Sequence, residues 1–163
     1  FKKNQIFITG RSCGGWMTMM LLARHQNIVA GGISFVPECY GRLTKVYKVK
    51  KVGVEEALKK FKKKEGHGPA NMRQMQIDEI KKSQNLPVLV FTHPKDPFGG
   101  LVSDWVEEVS GVERIVISQN NKVNGKSCSV WGEAIKNYHD MDRANCFKEF
   151  NPKILDFIAS RVE

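Results

Sequence analysis

The sequence predicts an α/β protein, a mostly parallel sheet with helices on both faces. Three observations predict it. Four short apolar, β-branched runs recur along the chain, helical or polar segments separate them, and each run stops at a glycine, a proline or a polar loop. Short apolar runs without polar alternation read as strands buried on both faces, the pattern of a parallel sheet.

The first run, residues 5–9 (QIFIT), ends at Gly10. Residues 14–25 then read as a helix with apolar positions at Trp16, Met19, Met20, Leu22 and Ala23, closed by Asn27. Residues 28–36 (IVAGGISFV) form the second run, which Pro37 stops. Residues 39–85 are the least regular, with helices expected over 54–64 and 71–83 on either side of a Gly66-His67-Gly68-Pro69 breaker. A third strand is expected over 86–92 (LPVLVFT), a helix over 101–110 and a fourth strand over 112–118 (VERIVIS). A long polar stretch, 119–145, precedes an amphipathic helix that Asn151 would cap, with Pro152 as its first residue.

The 163 residues suffice for one domain with a core and are too few for two ordinary ones. The expectation is therefore a single domain over 1–163, with 39–85 as a helical, Lys-rich insertion or cap; because the sequence opens on Phe1 and goes straight into a core-like strand, that domain is expected to be N-terminally incomplete. No apolar run approaches the roughly 20 residues of a membrane-spanning helix. The net charge of +9 gathers in residues 42–64, at Lys45, Lys48, Lys50, Lys51, Lys59, Lys60, Lys62, Lys63 and Lys64. A solvated helical face is the expected reading, with binding to nucleic acid or anionic lipid as the alternative. A nucleic-acid reading finds neither interleaved aromatics nor zinc-finger spacing. Of the four cysteines, Cys13 and Cys39 read as free thiols in core-like contexts. Cys128 and Cys146 could be paired or free, and no C-x-x-C spacing offers a metal site.

The chemistry concentrates at Gly10-Arg11-Ser12-Cys13-Gly14, between the first strand and the first helix. A nucleophile on a sharp strand-to-helix turn is strained, and small residues two places before and after it relieve the crowding. Gly10 and Gly14 fill those places, and Gly15 would let the helix approach the strand. The thiol alternative fails, since a Cys13 nucleophile would need a small residue where Arg11 stands. A serine hydroxyl needs a base to take its proton and a carboxylate to orient that base.

The Gly-x-Ser-x-Gly-Gly form with its strand and helix resembles the α/β-hydrolase family, in its dienelactone-hydrolase and prolyl-oligopeptidase-like branches. The segment 86–97 resembles that family's penultimate strand and acid loop, so the resemblance implies Asp96 as acid and His139 as base, in the order Ser, Asp, His. Asp104 is the fallback acid. His25, at a helix end, and His67, in the breaker, are poorly placed, and His93 is expected to line the pocket. The resemblance further implies the C-terminal half of the fold, a Cys13 N–H as one oxyanion donor, no cofactor, and a small-molecule or peptide acyl substrate. The second oxyanion donor would lie before Phe1. An additional N-terminal segment is therefore expected, in the same polypeptide, a cleaved partner chain or a neighbouring subunit.

Two other functions compete with a serine hydrolase. One is a non-catalytic hydrolase-fold fragment used for binding. The other is an NAD(P)-binding protein, because Thr9-Gly10-x-x-x-Gly14-Gly15 resembles the short-chain dehydrogenase turn and Tyr47-x-x-x-Lys51 resembles its catalytic pair. Trp16 stands where that turn needs its last glycine.

Overall fold

The computed structural model describes residues 2–117, 122–123, 126–127, 138–139 and 145–162. Strands β1 (Phe7–Arg11), β2 (Gly31–Phe35), β3 (Val88–Thr92) and β4 (Val112–Val116) form one sheet in that order, all neighbours parallel. Parallel neighbours need crossovers. Helix α1 (Cys13–Arg24) joins β1 to β2. Helices α2 (Leu43–Val46), α3 (Val49–Val52), α4 (Val54–Glu65) and α5 (His67–Lys81) lie between β2 and β3. A short antiparallel pair, β5 (Lys122–Val123) and β6 (Lys126–Ser127), follows, and helix α6 (Asn151–Ala159) comes last.

β3 shows why the sheet has two covered faces. All five of its residues are buried, and they alternate between two cores. Val88 and Val90 pack with Trp16, Met19, Met20 and Leu22 of α1, Ile77 and Ile80 of α5, and Trp105 and Val106. Leu89 and Phe91 pack with Ile33, Ile117 and Phe157 of α6 on the other face. A third cluster, around Leu43, Tyr47, Ala57, Phe61 and Val102, holds the inserted helices together. The nine lysines between residues 42 and 64 are all exposed. On α4, Lys59 and Lys60 pair with Glu55 and Glu56 one turn earlier, while Ala57 and Phe61 face inward.

Three elements depart from expectation. Residues 101–110 do not make an α-helix but two 3-10 turns, Gly100–Val102 and Asp104–Glu108. The Ser103 hydroxyl donates to the Gly99 carbonyl at 2.7 Å, which also accepts the Val102 N–H at 2.8 Å. That carbonyl is the acceptor an α-helix would offer to the Ser103 N–H, so the side chain competes with the helix. The breaker shrinks to Gly66 (φ 86°), because Gly68 and Pro69 fit the first turn of α5, where N–H groups lack intrahelical acceptors. In α6 the cap is Phe150 and Asn151 is already helical. Among the described residues β1 pairs with β2 alone.

Candidate active site

Ser12 joins β1 to α1 with φ 56° and ψ −126°. A residue with a Cβ rarely adopts that φ, at a cost of about 1–3 kcal/mol that surrounding structure must hold in place. Two backbone bonds do so here. The Ser12 N–H donates to Phe35 O at 2.9 Å, and Ser12 O accepts the Trp16 N–H at 3.0 Å, opening α1. Gly10 is required by packing, since a Cβ there would lie 2.3 Å from the Gly14 backbone. The expectation for Gly14 is corrected: a Cβ at Gly14 would meet nothing within 4 Å. The close approach falls one residue later, where a Cβ on Gly15 would lie 2.7 Å from Ser34 Oγ and 3.0 Å from Phe35 O.

Asp96 follows β3 and is 1% exposed. Its Oδ1 accepts the Phe98 N–H at 3.2 Å and its Oδ2 the Gly99 N–H at 2.9 Å, so the loop after the strand is wound around the carboxylate. His139 is buried, with Nδ1 2.8 Å from Asp96 Oδ1 and its ring stacked on Phe98 at 4.0 Å. The structure thus brings Asp96 and His139 together. Ser12 and Asp96 leave β1 and β3 at the same edge of the sheet, two strand spacings or about 10 Å apart along it. The Ser12 hydroxyl donates to the carbonyl of Glu38, after β2, at 3.3 Å.

The expectation of free thiols at Cys13 and Cys39 is overturned: the two are joined as a disulfide. The cause is topological. β1 and β2 are adjacent and parallel, with Arg11 opposite Phe35, so the residues just past both strands meet. Cys13 is exposed and Cys39 half-buried. The readings for Cys128 and the Cys146 side chain lie outside the described residues.

The chain matches no protein-family model and no curated protein. Its structure is similar over its whole length to that of a thermostable esterase, with a TM-score of 0.53, 13% identity and 32% of the esterase chain covered. The chain has the α/β-hydrolase fold. It therefore spans about a third of the esterase's length. It is also similar to the uncomplexed acylaminoacyl peptidase of Pyrococcus horikoshii (TM-score 0.48, 23% identity), over 91% of this chain and 24% of that one.

Within this α/β-hydrolase fold the other candidates separate clearly. Asp104 is exposed and accepts Arg114 Nη2 at 2.9 Å, beside Glu107, in a surface ion-pair cluster. His25 and His67 are exposed, at the end of α1 and the start of α5. Tyr47 donates to Glu65 at 2.8 Å, and burial with that carboxylate pushes its pKa up to about 12. Lys51 is exposed. A phenol held so firmly protonated is the reverse of a dehydrogenase tyrosine, and Trp16 is fully buried in the core.

His93 is 2% exposed, accepts the Lys95 N–H at Nδ1 (3.0 Å) and stacks on Tyr138. Burial pushes its pKa down from 6.5 to about 4; the Asp96 carboxylate acts the other way and Lys95 adds to the fall. The fold thus prefers neutral His93, and the unfolded chain takes up the proton first as pH drops. Stability from this group is complete above about pH 6.5 and is lost toward pH 4, by up to about 1.4 kcal/mol per pH unit. Urea midpoints measured from pH 4 to 7.5 should diverge between the wild type and His93→Gln below pH 6.5. Parallel curves would refute the assignment.

The sequence reading missed Glu38 and Arg73. Both are buried, with Glu38 Oε2 accepting Arg73 Nε at 3.3 Å and Nη2 at 3.2 Å. Glu38 Oε1 accepts the N–H groups of Cys39 (3.0 Å) and Tyr40 (2.9 Å). This pair fixes the loop whose carbonyl holds the Ser12 hydroxyl. Its one signal in the sequence is a carboxylate directly after the Pro37 that ends a buried strand.

Proposed function

We propose that the chain carries the nucleophile, acid and base of a serine hydrolase that cleaves an ester, lactone or peptide-like acyl bond. The observation that carries this reading is the buried Asp96–His139 hydrogen bond at the same sheet edge as a serine with φ 56°. Asp96 accepts the Nδ1 proton of His139, which leaves Nε2 with a lone pair to take the proton from Ser12 Oγ. To react, the hydroxyl must turn from Glu38 O toward that nitrogen. Oγ then attacks the acyl carbon, and the oxygen of the tetrahedral intermediate receives the Cys13 N–H. His139 returns the proton to the leaving alkoxide or amine, and water releases the acyl group by the same steps in reverse order.

The second oxyanion donor would come from an additional N-terminal segment, which would also cover the edge of β1 that no described strand pairs. Residues 39–85, whose helices stand between β2 and β3, would act as the cap that shapes the substrate site. The chain should react covalently with an alkyl fluorophosphonate, and Ser12→Ala should abolish the reaction. Absence of any adduct on the folded full-length protein, in which the second oxyanion donor is supplied, would refute the reading. The Ser12–Glu38 hydrogen bond favours the second reading, a non-catalytic module that keeps the fold for binding. Such a module would show no adduct and no ester turnover.

A further inference from the structure

The Cys13 and Cys39 side chains play no part in the chemistry above, yet their bond adjoins it on both sides. Cys13 follows Ser12 and opens α1, while Cys39 follows Glu38, whose carbonyl accepts the Ser12 hydroxyl. The disulfide therefore spans the two segments that this hydrogen bond also joins. Exposure of Cys13 leaves one sulfur open to a small thiol. Glu38, in contrast, is anchored by the buried Arg73 guanidinium.

We propose that Cys13–Cys39 is a thiol–disulfide exchange site whose redox state sets the reactivity of Ser12, with the disulfide form the reactive one. This rests on Ser12 being the nucleophile. The co-reactant is a dithiol. Its first thiolate attacks Sγ of Cys13 and expels the Cys39 thiolate, giving a mixed disulfide. Its second thiolate then closes on the first sulfur and expels the Cys13 thiolate. The dithiol gives up two electrons and two protons and leaves as a disulfide; Cys13 and Cys39 gain them and become thiols.

The consequence for Ser12 is mechanical. Unbonded sulfurs cannot remain at bonding distance and must move apart to van der Waals contact. Reduction therefore removes one of the ties between the turn at Ser12 and the loop after β2, where Glu38 is held by the buried ion pair. A strained residue keeps its conformation only while its surroundings over-determine it. The Cys13 N–H is the donor whose aim matters, and preorganised aim is the source of its effect. A shift of about 1 Å at such a site can cost about 100-fold in rate, so a tenfold loss is a conservative expectation.

The test has two parts. Peptide mapping of the aerated chain without reductant should recover Cys13 and Cys39 in one linked species. The rate of fluorophosphonate labelling should then fall about tenfold after dithiothreitol and recover on reoxidation, with circular dichroism unchanged. Cys39→Ala should label slowly and ignore the reductant, which separates this pair from Cys128 and Cys146. Unlinked peptides overturn the proposal, as do oxidised and reduced rates within about twofold of each other. Absence of labelling in both states of the full-length protein overturns instead the serine-hydrolase reading and this inference with it.

Discussion

Asp96→Asn is expected to lower kcat/KM for an activated ester by about 10⁴, with far-ultraviolet circular dichroism preserved. The hydrogen bonds explain why so small a change costs so much. Oδ1 of Asp96 faces both the Phe98 N–H and His139 Nδ1, and Oδ2 faces the Gly99 N–H. All three sites call for an acceptor, and an amide brings one oxygen and one NH₂ group. If the amide oxygen takes Gly99, the NH₂ group points at His139, which must then present Nδ1 as an acceptor. The imidazole proton moves to Nε2, where the lone pair for Ser12 was needed. The alternative orientation strands the Gly99 N–H against a donor and loosens the loop. Steady-state kinetics with a nitrophenyl ester checks the size of the effect, and a loss smaller than about tenfold would remove Asp96 from the mechanism.

What could be read from the sequence divides along a physical line. The turn at Ser12 was legible because it is local: a buried strand, two glycines and a helix follow one another within the chain. The meeting of Asp96 with His139 was expected only through the resemblance of residues 86–97 to the acid loop of the α/β-hydrolases and that family's order of Ser, Asp and His. Contacts between distant segments were not legible. Cys13 and Cys39 look like core thiols until β1 and β2 are known to be adjacent, parallel and in register. Gly14 looked necessary by spacing, yet the crowded position after the serine is Gly15, because its nearest neighbours, Ser34 Oγ and Phe35 O, lie on β2, a strand distant in sequence. The helix expected over 101–110 failed for a subtler reason, one serine hydroxyl competing for one carbonyl. The Lys-rich stretch was readable throughout, since exposed charge on a helix with an apolar stripe needs no tertiary knowledge.

The pair least visible in the sequence carries the largest expected effect on stability. Arg73→Met should destabilise the fold by about 3–5 kcal/mol, because it leaves the Glu38 carboxylate buried without its counter-charge. The side chain of Glu38 is fully buried and that of Arg73 is 4% exposed, so water cannot take the cation's place without opening the structure. Arg73 also donates to Val102 O at 3.1 Å and lies over the Trp16 ring, so its loss unties the inserted helices from the core as well. The double variant Glu38→Gln/Arg73→Met separates these contributions. A glutamine amide oxygen can still accept the Cys39 and Tyr40 N–H groups, and no charge remains to be neutralised. The double variant should therefore recover at least about half of the loss, the remainder reporting the packing and the Val102 bond. Urea denaturation of the wild type, the two single variants and the double variant completes the cycle. Equal midpoints for Arg73→Met and the double variant would show that the unpaired carboxylate is not what destabilises the protein. The same series connects to reactivity, because the carbonyl that holds the Ser12 hydroxyl belongs to Glu38. Where the double variant restores stability, the loop after β2 is again in place, and fluorophosphonate labelling should return with it.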